Sequence, residues 1–193
     1  MRGGRVTAAI LPWIPVLFAV FFLFRLIPTF RAVLLLLAFF CHEGGHVAAF
    51  CLVGEGVPRL HPVSGGFRLV SPASLSYRAE CLVALAGPAA NLLPGLLFLV
   101  LGADPYAAEA GRIFLGTGLS NLIPIADHDG GRVLFCLLSP RVGYARAAEV
   151  ASAVSYFSLF LSLTLSFSLL YVFGAGFYFT VFCLFSLLSH PLP

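Results

Sequence analysis

An all-α, polytopic membrane fold of about six helices is what this chain predicts, and three observations predict it. Hydrophobic residues fill 60% of the 193 positions and charged residues only 10%, with a mean hydropathy of +1.02. Apolar runs near residues 7–24, 32–53, 80–101, 107–125, 147–172 and 174–189 each approach the ~20 residues that cross a ~30 Å hydrocarbon core. Between the second and third runs, residues 54–77 are broken by Gly, Pro and Ser. There Gly65-Gly66-Phe67-Arg68-Leu69-Val70 reads as a short strand or hairpin on the cytoplasmic side. No large aqueous domain fits this composition, and residues 1–193 are expected to form one membrane-embedded domain with its core over roughly residues 30–135.

The first run follows Arg2 and Arg5 as in a signal peptide, but it leads into Phe24-Arg25-Leu26-Ile27-Pro28 rather than a small-residue cleavage site, so a retained helix is expected. The basic residues are all Arg. Counted on alternate sides of six spans, eight (Arg2, Arg5, Arg59, Arg68, Arg78, Arg132, Arg141, Arg146) oppose three (Arg25, Arg31, Arg112). The positive-inside rule then puts both termini of a multi-pass cell-membrane protein in the cytoplasm. A net charge of +3, so thinly spread, excludes a nucleic-acid partner. The 5 cysteines form no CxxC pair, so neither a disulfide framework nor a cysteine metal site is expected, and Cys41 reads as packing.

The second run carries His42-Glu43-Gly44-Gly45-His46. Residues four apart share a helix face, so both imidazoles can meet one metal ion, while Glu43 stands beside them as a general base for water. A bilayer penalises ionisable groups, so such a cluster signals function. The run leads from outside to inside, which puts the motif in the cytoplasmic half, open to water from that side.

In the third run, Ala86-Gly87-Pro88-Ala89-Ala90-Asn91 brings small residues for close helix approach and an amide. Asn91 suits either a helix–helix hydrogen bond or support behind the metal ligands. The fourth run ends in Asn121-Leu122-Ile123-Pro124-Ile125-Ala126-Asp127-His128-Asp129-Gly130-Gly131, which offers Asp127, His128 and Asp129 as third ligand beside a flexible Gly pair. His61, Glu80, Glu149 and His190 are less well placed. The fifth run spaces Ser155, Ser158, Ser162 and Ser166 along one face, a packing stripe. If the segment around Gly66 and Phe67 pairs as a strand, its edge can bind an extended peptide.

Taken together, His42-Glu43-Gly44-Gly45-His46, Gly87-Pro88-Ala89-Ala90-Asn91, and Asn121-Leu122-Ile123-Pro124 followed by Asp129-Gly130-Gly131 resemble the site-2 protease family of intramembrane zinc metalloproteases. The resemblance implies one zinc ion held by His42, His46 and Asp129, water activation by Glu43, and a polar role near substrate for Asn121. Ala126-Asp127-His128 departs from the family's apolar or proline residues, which leaves Asp127 and His128 as rival ligands. The chain between the motifs has no room for a PDZ domain, and none for a CBS domain after them. It is similar to the compact sporulation-type branch, which implies a membrane-tethered protein substrate such as a transcription-factor precursor, and a place for a membrane regulator. A competing class is a metal-ion transporter or a non-proteolytic metal-binding membrane protein. A transporter calls for ligands along a path, often in repeated halves, whereas this sequence offers one cluster and no internal repeat. A dead relative would be expected to lack Glu43.

Overall fold

The computed structural model describes residues 21, 24–53, 59–63, 66–70, 75–173, 180, 183 and 184. Among the described residues, the elements bounded at both ends are, in order, α1 (Thr29–Leu52), β1 (Arg59–Val63), β2 (Gly66–Val70), α2 (Tyr77–Leu101), α3 (Pro105–Asn121), α4 (Asp129–Val142) and α5 (Tyr144–Phe173). Local chemistry sets the boundaries. Ser76 Oγ accepts from Ala79 N–H at the start of α2, and Asp104 Oδ1 accepts from Tyr106 and Ala107 N–H at 2.8 and 2.9 Å, with Pro105 opening α3.

Among the described residues, three helices, α1, α2 and α5 up to Val172, are long and apolar enough to cross a membrane, with mean hydropathies of 1.6, 1.9 and 1.7. The surface agrees with that setting. Leu93, Leu97, Val100, Phe157, Phe160 and Tyr171 are exposed, while His42, His46, Asn91 and the serine stripe of α5 are buried.

α2 is the hub and packs against α1, α3 and α4, while α5 packs on α4. The contacts with α1 and α3 depend on close approach. A Cβ on Gly45 of α1 would strike the backbone of Ala86, and one on Gly95 of α2 would strike Leu115 of α3. Pro88 and Pro94 lie inside α2, where each removes an N–H and frees the carbonyl four residues earlier. For Pro94 that carbonyl is Ala90 O, and the Cys41 thiol of α1 donates to it at 3.1 Å.

The hairpin expected near Gly66 is present: β1 and β2 pair antiparallel, with Pro62 opposite Phe67 and Val63 opposite Gly66, and β2 lies against α1. The second, third and fifth expected spans correspond to α1, α2 and α5. The expected runs at 7–24 and 174–189 lie almost wholly outside the described residues.

Two expectations need correcting. The fourth span was placed at 107–125, but α3 stops at Asn121 after 17 residues, because Pro124 and the backbone before it cannot continue the helix. The sequence suggests that the Gly130-Gly131 pair is flexible. Both glycines instead lie in the first turn of α4, where a Cβ would collide with the carbonyls of Leu122 and Ile125. They are small so that the 122–128 loop can fold down on the helix start, not so that the chain can bend.

Candidate metal centre

His42 and His46 stand one turn apart on α1, both buried, and Asp129 is the first residue of α4. An acidic side chain suits that position, since the N-terminal N–H groups of a helix favour negative charge. His42 Nε2 lies 3.0 Å from Asp129 Oδ2, His46 Nε2 lies 3.3 Å from Asp129 Oδ1, and the two Nε2 atoms are 3.2 Å apart. Three donors bound to a tetrahedral ion at ~2.0–2.1 Å stand roughly 3.3 Å from one another. The residues therefore fit zinc: two imidazoles and a carboxylate converge on one point.

The neighbours fix how the imidazoles point. His46 Nδ1–H donates to Val83 O of α2 at 2.7 Å, which leaves Nε2 with its lone pair toward the site. A carbonyl can only accept, so the tautomer follows from the partner. Gly87, one turn further along α2, faces both rings, and a Cβ there would enter the imidazole of His46. Among the described residues, neither His42 Nδ1 nor either amide atom of Asn91 has a hydrogen-bond partner, although Asn91 is fully buried.

Glu43 is half-buried on α1 next to His42. Asn121 closes α3, and its Nδ2 donates to Thr117 O at 3.0 Å. Gly66 and Phe67 open β2. Asp127 is exposed and outside the cluster. His128 caps α4 with its backbone, and burial lowers its pKa, so it stays neutral beside the cluster without joining it. Of the other candidates, Glu80 pairs with Arg132, Glu149 pairs with Arg146, His61 sits on β1, and His190 is outside the described residues.

Sequence reasoning missed three supports. Val83 acts through a backbone carbonyl, which no residue type announces. Ser155 of α5 accepts from Ala126 N–H at 2.8 Å and so ties down the loop before Asp129, where the serine stripe suggested packing alone. The Glu80–Arg132 pair joins helices 52 residues apart in sequence. Only the rarity of charge in an apolar chain hinted at it.

Helices that expose apolar side chains and gather two histidines and an aspartate are those of a membrane protein with a site that could hold a metal ion. No protein-family profile matches the chain. Over 138 residues it is 29% identical to the zinc metalloprotease MJ0392 of Methanocaldococcus jannaschii, an alignment covering 65% of this chain and 40% of that relative. The match thus spans less than half of the relative's length. The fold is similar to that of the site-2 protease from the same organism, with a TM-score of 0.59 and 21% identity over 93% of this chain and 86% of the other. The structural likeness is one of fold, and His42, His46 and Asp129 form a group that could hold a metal ion.

Proposed function

We propose that this chain is an intramembrane zinc metalloprotease that hydrolyses a peptide bond in or near a transmembrane segment of a membrane-tethered protein. One observation carries the reading: donors from α1 and α4, 83 residues apart between His46 and Asp129, meet within 3.0–3.3 Å beside the carboxylate-bearing Glu43. Bound zinc supplies Lewis acidity, polarising a carbonyl and acidifying water. His42, His46 and Asp129 would hold that ion. Glu43 takes the proton of the attacking water on its carboxylate and returns it to the amine that leaves.

A helical substrate hides its carbonyls in its own hydrogen bonds, so it must unwind before attack. β2 offers a partner for the unwound stretch, with Gly66 and Phe67 at the end where an added strand would pair. Asn121 is assigned to substrate contact. Asn91, whose buried amide is unsatisfied, is assigned to the support of His42 through a bridging water. The arginine bias assigns both termini, and the opening of the site, to the cytoplasm. In this reading the substrate is a transcription factor precursor or its regulator.

The experiment is metal analysis of the purified chain, followed by cleavage of membrane-tethered candidate substrates by wild type and Glu43→Gln. One zinc per chain with cleavage lost in the variant is expected. Full cleavage by Glu43→Gln overturns the assigned role, and metal uptake into vesicles without cleavage of any substrate points to transport.

A further inference from the structure

Glu80 is on the same face of α2 as Val83, one turn earlier, and their partners lie on α1 and α4, the two helices that carry the proposed ligands. Val83 O holds His46 Nδ1–H at 2.7 Å, and Glu80 Oε1 accepts from Arg132 Nε–H at 2.9 Å. Arg132 is three residues after Asp129, so the two share the first turn of α4. The Cys136 thiol, one turn beyond Arg132, is 2% exposed. Burial, with the Glu80 carboxylate second, pushes that thiol up to about 12, so it remains a donor. Three contacts thus close a ring through α1, α2 and α4: histidine to Val83, Glu80 to Arg132, and Asp129 back to the histidines.

The loop before Asp129, tied to Ser155 of α5, locates the start of α4, and the Glu80–Arg132 contact adds a side-chain tie from its first turn to α2. A rotation by a few tens of degrees would swing the Asp129 carboxylate away from the imidazoles. The Glu80 and Arg132 side chains are 28% and 41% exposed, and ion pairs so exposed contribute little to overall stability. Their placement gives them a different use.

We propose that Glu80 is a positioning residue for the metal centre: by holding Arg132 it fixes the rotation of α4 and keeps the Asp129 carboxylate over His42 and His46. This rests on the zinc site but not on proteolysis, so its test reads metal binding.

The test is a double-mutant cycle on the full chain in detergent, with wild type, Glu80→Gln, Arg132→Gln and both together. Zinc affinity is measured by chelator competition, ligand geometry by the visible spectrum of the cobalt form, and unfolding on the metal-free protein. Removing a group behind a metal ligand commonly lowers affinity 10–100-fold. Each single variant is expected to bind zinc at least about tenfold more weakly, with an altered cobalt spectrum. The double variant should be no weaker than the worse single, because all three lose one shared contact. Metal-free unfolding should stay close to wild type. Should Glu80→Gln fail to fold, Arg132→Gln reports the same contact. Wild-type zinc affinity in either folded variant overturns the proposal, as do additive losses in the double variant or losses matched by a collapse of metal-free stability.

Discussion

The two halves of α2 use the same device for different ends. In the N-terminal half, Gly87 admits the imidazoles of His42 and His46, Val83 O orients one of them, and Glu80 reaches across to Arg132. In the C-terminal half, Gly95 admits Leu115, Leu92 lies against Gly118 and Leu99 against Gly111, and Phe98 meets Phe114 edge-on at 5.9 Å. Both halves bring helices close through glycine. One approach lets polar groups meet, the other lets leucines interlock. The function of a glycine is therefore set by what faces it, and substitutions along this one helix should separate metal binding from stability.

The largest effect is expected at the ligands that the N-terminal half embraces. His42→Ala combined with His46→Ala should take bound zinc from one per chain to near none by metal analysis of the purified protein. Normal zinc content in that variant would sink the site. Asp129→Asn should also weaken binding strongly, since it supplies both carboxylate contacts, whereas exposed Asp127→Asn should bind as wild type. A reversal of that order would move the ligand by two residues.

Next come the matched glycines. Gly87→Ala pushes a methyl group into a metal-binding ring, and a loss of about 10–100-fold in zinc affinity is expected, the range for disturbed ligand support. Gly95→Ala meets leucine instead, and overpacking of that kind costs about 1–3 kcal/mol. It should lower the unfolding temperature while zinc affinity measured on folded protein stays unchanged. Equal effects on affinity would erase the distinction between the halves.

What the sequence made legible follows the same division. Apolar runs mark the long helices, and the paired histidines with Glu43 stand out because charge is scarce in them. The hairpin was visible from its Gly-flanked apolar run. α4 was not legible. It has only 14 residues, opens on Asp129 and contains Arg132, Pro140 and Arg141, so neither length nor hydropathy marks it as a helix. The short α3 was overextended because Leu122, Ile123 and Ile125 remain apolar in a loop that packs on α4. Contacts such as His46 to Val83 and Ala126 to Ser155 run through backbone atoms, and a sequence carries no sign of which peptide group will be used.

The smallest expected effect lies where the halves of α2 meet. Pro94 leaves Ala90 O without its helical donor, and the Cys41 thiol of α1 supplies one at 3.1 Å. Cys41→Ala removes that donor and leaves a carbonyl unpaired among apolar neighbours, which costs about 1–3 kcal/mol for a buried acceptor, and at the low end here because a thiol is a weak donor. Cys41→Ser restores a hydroxyl donor and should recover most of the loss. Cys41 precedes His42 but turns about 100° away from it around the helix, so zinc affinity should move less than about threefold in either variant if the contact serves packing alone. Unfolding and chelator competition on the same preparations decide the point. If Cys41→Ala loses zinc as severely as Gly87→Ala while its stability holds, the metal-supporting region extends past Gly87 to Ala90, and the boundary between the halves shifts by a turn.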